Sequence, residues 1–158
     1  MKAYSSNEIK QELASLPPKK IAELCLRLVR FKKENKELLS FLLFNSHDEP
    51  SYVQAIKEEM DEEFETLPKP NWYHTKKALR KVLRTISKYS KYTNNKESEV
   101  ELRLHFCKHL QSNGGYLRQQ AISTIYKQQL KKLGVLIDLV HEDLQYDYRK
   151  QVDQLINN

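Results

Sequence analysis

Glycine, proline and cysteine are scarce in this chain. Its 158 residues include only three Gly, five Pro and two Cys. Strand-rich folds need many tight turns, which Gly and Pro mostly supply, so this scarcity favours long helices. Cys25 and Cys107 lie inside helical patterns and are too few for a disulfide scaffold. The sequence therefore predicts an all-α protein from a reducing compartment, which we interpret as the cytoplasm.

The chain also lacks a long apolar run. Its longest, residues 38–44, has about seven residues, whereas roughly 20 are needed to cross a bilayer. The residues before Leu16 mix Lys and Glu and contain no apolar segment of the signal-peptide kind. We therefore expect no membrane partner. A hydrophobic fraction of 39% with 30% charged residues predicts one all-helical domain over residues 1–158.

Caps and breakers divide the chain into seven or eight helices. The predicted helix caps are Ser5 or Ser6, Ser51 and Asn71, and Pro18 is expected in the first turn of the second helix. The other prolines mark breaks, and Asn113-Gly114-Gly115 and Gly134 are predicted stops. The predicted helices cover residues 5–16, 18–31, 36–45, 51–67, 72–92, 97–111, 116–133 and the remainder of the chain. Every connection is short, so neighbouring helices are expected to pack as antiparallel hairpins.

Two arrangements of these hairpins remain open. Residues 23–28 resemble residues 101–106 at the level of their Leu, Arg and Glu pattern, which favours a short α-α superhelical array. Any two amphipathic helices of this composition also align this well, so a closed helical bundle is the alternative. The third and sixth helices are the most apolar all round and are predicted to be central.

Acidic residues are absent from residues 71–96, which contain eight Lys or Arg and no Asp or Glu. On a helical projection the basic residues from Lys76 to Lys91 span about 140°. The apolar residues Leu79, Val82 and Ile86 fall on the opposite side of the same projection. This pattern predicts a surface helix with one basic face and one buried face.

The basic face has two interpretations. It could neutralise the phosphates of a nucleic acid, with the candidate contacts Lys77, Arg80, Lys81, Arg84, Lys88 and Lys91. Alternatively it is a solvated face, partly paired with the acid-rich preceding helix across an antiparallel hairpin. That second interpretation places Glu62 near Lys76 and Glu58 near Arg80, and lets Asp48 or Glu49 reach Lys88.

One group of residues has the spacing of metal ligands. Glu101, His105 and His109 recur every four residues and share one side of the sixth helix. The neighbouring Lys108 would oppose a cation, and such histidines are more often ordinary polar-face residues. The sequence therefore predicts no metal, and these three residues are the candidates if one binds.

No catalytic arrangement is present. There is no phosphate-binding glycine loop, and the acids of the fourth helix are strung along an exposed face, where nothing separates their pKa values. We therefore predict a non-enzymatic helical interaction or scaffold module with no cofactor and a protein partner. Nucleic-acid binding through the basic face of residues 72–92 is the alternative function.

Overall fold

The computed structural model describes residues 2–113 and 115–157, and the chain is all-helical over these ranges, with no strand. Gly114, part of a predicted helix stop, lies outside the described residues. The all-α prediction is confirmed. The helices are α1 (Ser6–Ser15), α2 (Pro18–Phe31), α3 (Lys33–Ser40), α4 (Glu49–Glu65), α5 (Trp72–Thr93), α6 (Lys96–Ser112), α7 (Gln120–Ile137) and α8 (Glu142–Asn157), and a π-helical segment, Phe41–Asn45, follows α3.

Side-chain caps set most of the helix starts. The Glu8 N–H donates to Ser5 Oγ at 3.3 Å and the Ser5 N–H donates to the Glu8 carboxylate at 2.8 Å, which is the capping box of α1. Pro18 begins α2, where a missing N–H does no harm. α4 starts earlier than predicted, because Asp48 accepts from the Ser51 N–H at 3.3 Å and is the cap in place of Ser51.

The predicted boundaries of α7 are wrong at both ends. Residues 115–119 form turns, and the helix continues through Gly134 to Ile137. A glycine ends a helix by adopting a positive φ, and no described glycine has one. Leu133 and Leu136 on either side of Gly134 are buried. The helix therefore continues through Gly134, a residue of poor helix propensity, because the residues on either side of it pack in the core.

The chain divides into two compact units, one ending at Phe44 and the other beginning at Asn45. In the first unit α2 packs against α3. Phe41 is buried there, but Leu42, Leu43 and Phe44 are 51–68% exposed. The expectation that the third helix is central is therefore wrong, because three of its six apolar side chains face solvent and only Phe41 is buried. The single-domain assignment for residues 1–158 stays a prediction.

In the second unit α6 is the central helix, as predicted. It packs against α4, α5, α7 and α8, and its Val100, Leu102, Phe106, Cys107 and Leu110 are all fully buried. α6 runs parallel to α4 and antiparallel to α7. The pairs that give these directions are Lys57–Glu101 and Asp61–His105, then Glu99–Lys132 and Arg103–Gln129.

These contacts are those of closely packed helices and fit both a helical array and a bundle, so the choice between them stays a prediction. Both cysteines are free. Burial raises the pKa of the Cys107 thiol to about 12, which makes it a small apolar core residue. None of the described helices combines the length and apolar character of a membrane span.

Candidate functional site

The basic residues of α5 lie on the side of the helix away from its core residues. Leu79, Val82 and Ile86 are buried at 0–4% exposure. The predicted contacts Lys77, Arg80, Lys81, Arg84 and Lys91 are exposed, whereas Lys88 is half-buried, with its Nζ 5.0 Å from the centre of the Tyr89 ring.

α4 and α5 form an antiparallel hairpin, but its register differs from the predicted one. Lys81 Nζ lies 3.0 Å from Glu63, and the Tyr89 hydroxyl donates to Glu59 at 3.4 Å. Neither predicted pair, Glu62–Lys76 or Glu58–Arg80, is among the ion pairs of the described residues. Both helices pack mainly on α6 and only weakly on each other, so α6 sets their register. A groove of about 430 Å³ lies between them.

The acids at the start of α4 make contacts that the sequence did not predict. Asp48 caps α4, and Glu49 accepts a hydrogen bond from the Ser98 hydroxyl of α6. Over residues 2–113 and 115–157, no ion pair joins Lys77, Arg80, Arg84 or Lys91 to an acid. These four residues form the outer stripe of α5, which is about 21 Å long at 1.5 Å per residue.

The histidines of α6 meet an aspartate of α4. His105 Nε2 and His109 Nε2 lie 2.5 Å and 2.6 Å from the same atom, Asp61 Oδ1. Glu101 faces the same helix but lies 2.5 Å from Lys57 Nζ. The histidines therefore share one side of α6 as predicted, but the acid beside them is Asp61 and not Glu101. We call Asp61, His105 and His109 the α4–α6 cluster.

Packing and charge both fix the α4–α6 cluster. The buried Phe64 ring stacks on His109, with centroids 4.4 Å apart and planes 7° from parallel. Partial burial opposes ionisation of Asp61, but the hydrogen bonds and charges of His105 and His109 outweigh it and hold the pKa of Asp61 below its usual value. The acid is thus ionised near neutral pH and holds both rings.

A buried arginine occupies the centre of the second unit, and the sequence did not lead us to it. Arg103 is 2% exposed. It lies 2.7 Å from Glu99 within α6, and it donates to Gln129 of α7 at 2.6 Å and to Ser87 of α5 at 3.3 Å. Lys132 of α7 lies 3.4 Å from Glu99. One guanidinium therefore joins three helices. Its signal in the sequence was a lone Arg among apolar residues on a helix predicted to be central.

An apolar groove marks the first unit. It measures about 210 Å³ and is lined by Cys25, Leu28, Val29, Asn35, Leu38, Leu39 and Leu42. The Asn35 side chain donates to the Leu28 carbonyl at 2.8 Å, which ties the start of α3 to the end of α2. The groove is thus built between two helices whose spacing a hydrogen bond fixes.

Comparisons of the chain with protein-family models, with curated proteins and with solved structures found no match.

The acid limit of stability is expected to depend on Glu99. Burial raises its pKa, but the hydrogen bond and charge of Arg103, with Lys132, outweigh burial and hold the pKa below its usual 4.5. The carboxyl is then more acidic in the folded chain than in the unfolded one. Its contribution to stability is complete above pH about 4.5 and is lost as the pH falls toward the folded pKa.

Urea unfolding between about pH 7 and pH 3 measures this effect. We expect the free energy of unfolding to fall below pH about 4.5 in the wild type and to fall less steeply in Glu99→Gln. Glu65→Gln, at an exposed acid of α4, is the control and should retain the wild-type slope. Equal slopes in the wild type and Glu99→Gln would contradict the assignment.

Proposed function

We propose that this protein is a non-enzymatic helical interaction module that binds a partner protein through its first unit. The main support for this proposal is the apolar surface that α2, α3 and the π-helical segment expose. We also propose that the module is cytoplasmic, and its two free cysteines support this location, since free thiols are usual in a reducing compartment.

The first unit buries little of its apolar surface. No residue in the described lengths of α1, α2 and α3 is buried. Nine of the fourteen exposed large apolar side chains of the described residues lie here: Tyr4, Ile9, Leu13, Leu26, Leu28, Phe31, Leu42, Leu43 and Phe44. Single exposed apolar residues are ordinary, but a concentration of them marks an interaction surface.

The occupant that fits this surface is an acidic amphipathic helix of another protein. The groove between α2 and α3 is open and almost entirely apolar, which suits apolar anchors at helical spacing. Residues 1–44 carry nine Lys or Arg against five Glu. Arg27, Arg30, Lys32 and Lys36 are exposed and belong to residues 25–42, the stretch of sequence that supplies the groove lining. Acidic side chains beside the anchors would complement these cations.

Selection from a displayed library of amphipathic helices against the intact chain tests the proposal. We expect the recovered peptides to combine apolar anchors at helical spacing with acidic flanks. Leu28→Asp should weaken their binding by about tenfold or more, since it places a charge in the groove. Leu139→Asp is the matched control, because Leu28 and Leu139 are 58% and 60% exposed.

Two results of the peptide selection would count against this function. One is failure to recover any acidic amphipathic helix. The other is equal binding to the wild type, Leu28→Asp and Leu139→Asp. Sedimentation equilibrium of the intact chain shows whether a second copy occupies the groove, in which case self-association should be lost in Leu28→Asp and the partner proposal would be rejected.

Nucleic-acid binding is the second candidate, supported by the outer stripe of α5. Lys77, Arg80, Arg84 and Lys91 are exposed and have no acidic neighbour within ion-pair distance in the part of the chain that the structure describes. Tyr73, 73% exposed, lies at one end of the stripe and offers a ring for base stacking. Cations in a row along one helix can follow a phosphate backbone.

Labelled RNA and DNA titrated at about 50 and 200 mM salt test this candidate. We expect the affinity to fall steeply with salt concentration. The double variant Arg84→Glu with Lys91→Glu should reduce the slope of log affinity against log salt by about one for each phosphate contact that is lost. Lys127→Glu with Lys131→Glu, at exposed positions of α7, makes the same change in net charge. Absence of binding at the lower salt, or equal loss in both double variants, rules out the stripe as the site.

A further inference from the structure

The α4–α6 cluster brings three potential ligand atoms together. Asp61 Oδ1, His105 Nε2 and His109 Nε2 all lie within 4.8 Å of one another. Two of them come from one face of α6 and the third from a parallel helix, so rigid elements hold all three. This is the ligand number of a zinc site that keeps one position open.

The two nitrogen–oxygen separations of the cluster are close to those that a metal requires. A tetrahedral ion with bonds of about 2.0–2.1 Å holds its ligands about 3.3 Å apart. The two N–O separations are 2.5 Å and 2.6 Å, so each has to widen by less than 1 Å, within reach of a side-chain adjustment. The Asp61 side chain is 43% exposed, which leaves a route for an ion and room for a water ligand.

Neighbouring residues fix the imidazole rings, and the two nearby lysines pair with other side chains. Phe64 stacks on His109 and fixes the plane of that imidazole. Lys57, one turn before Asp61, pairs with Glu101. Lys108, between the two histidines, turns away to Gln151 of α8, where its Nζ donates at 2.8 Å. The charge that seemed from the sequence to oppose a cation is therefore directed away from the cluster.

We propose that Asp61, His105 and His109 bind a divalent transition-metal ion of the zinc class, with water as the remaining ligand. Two imidazole nitrogens and one carboxylate oxygen suit zinc and its neighbours, whereas magnesium and calcium prefer oxygen ligands alone. The ion would join α4 to α6 at the surface of the second unit. This site is independent of the groove of the first unit and of the outer stripe of α5.

Calorimetric titration of Zn²⁺ into the chelator-treated intact chain tests the proposal. We expect one ion per chain. Asp61→Asn, and the double variant His105→Gln with His109→Gln, should each weaken binding by at least about tenfold. Loss of a residue that only hydrogen-bonds to a metal ligand already weakens binding about tenfold or more, and these variants remove the ligands themselves. One control should bind as the wild type does: His141→Gln, at an exposed histidine 3.4 Å from Asp143.

Co²⁺ gives a second measurement that needs no variant. The wild-type chain should develop the strong visible absorption of a low-coordinate cobalt site, and Zn²⁺ should remove it. The proposal is overturned if one-to-one binding is absent from the wild type, or if the double histidine variant retains it. Loss in Glu101→Gln with retention in Asp61→Asn would overturn it in favour of Glu101 as the third ligand.

Discussion

The second unit depends on the buried ion pair between Arg103 and Glu99. An ionised guanidinium that is 2% exposed is tolerated only when its donors are satisfied. Here Glu99 of α6, Ser87 of α5 and Gln129 of α7 satisfy them. Loss of any of these partners would leave a buried polar or charged group unpaired and lower the stability of the fold. α5 and α7 are therefore held in one register against α6. The same central helix presents His105 and His109 to α4, and the packing of α5 on it turns the outer stripe toward solvent.

Much of the fold was predictable because helix signals are local. Ser5, Pro18 and Asn71 mark helix starts through short-range hydrogen bonding or fixed φ, and all three act as predicted. The predicted helix stop at Gly134 was wrong because tertiary packing of its neighbours outweighs the weak tendency of glycine to end a helix. The prediction that the third helix is central was wrong because composition shows that a segment is apolar but not which other residues cover it. Residues 23–28 and 101–106 show the same limit, since Leu26 and Leu28 are exposed whereas their counterparts Leu104 and Phe106 are buried.

The candidate sites were predictable only within single helices. The common face of His105 and His109 follows from the helical period. Asp61 lies 44 residues before His105, in a run of acids that composition alone assigns to solvent. Its signal was its position at the edge of the apolar stripe of α4, beside Met60 and Phe64. Pairings between helices depend on register, and α6 sets that register through contacts which no local pattern contains.

A double-mutant cycle on Arg103 and Glu99 tests the central place of this ion pair most directly. We expect Arg103→Met to lower the free energy of unfolding by about 3–5 kcal/mol, because it leaves a buried carboxylate without its main partner. Adding Glu99→Gln should restore part of that loss, with a coupling energy of at least about 0.5 kcal/mol. An Arg103→Met variant as stable as the wild type, or two losses that simply add, would contradict this account.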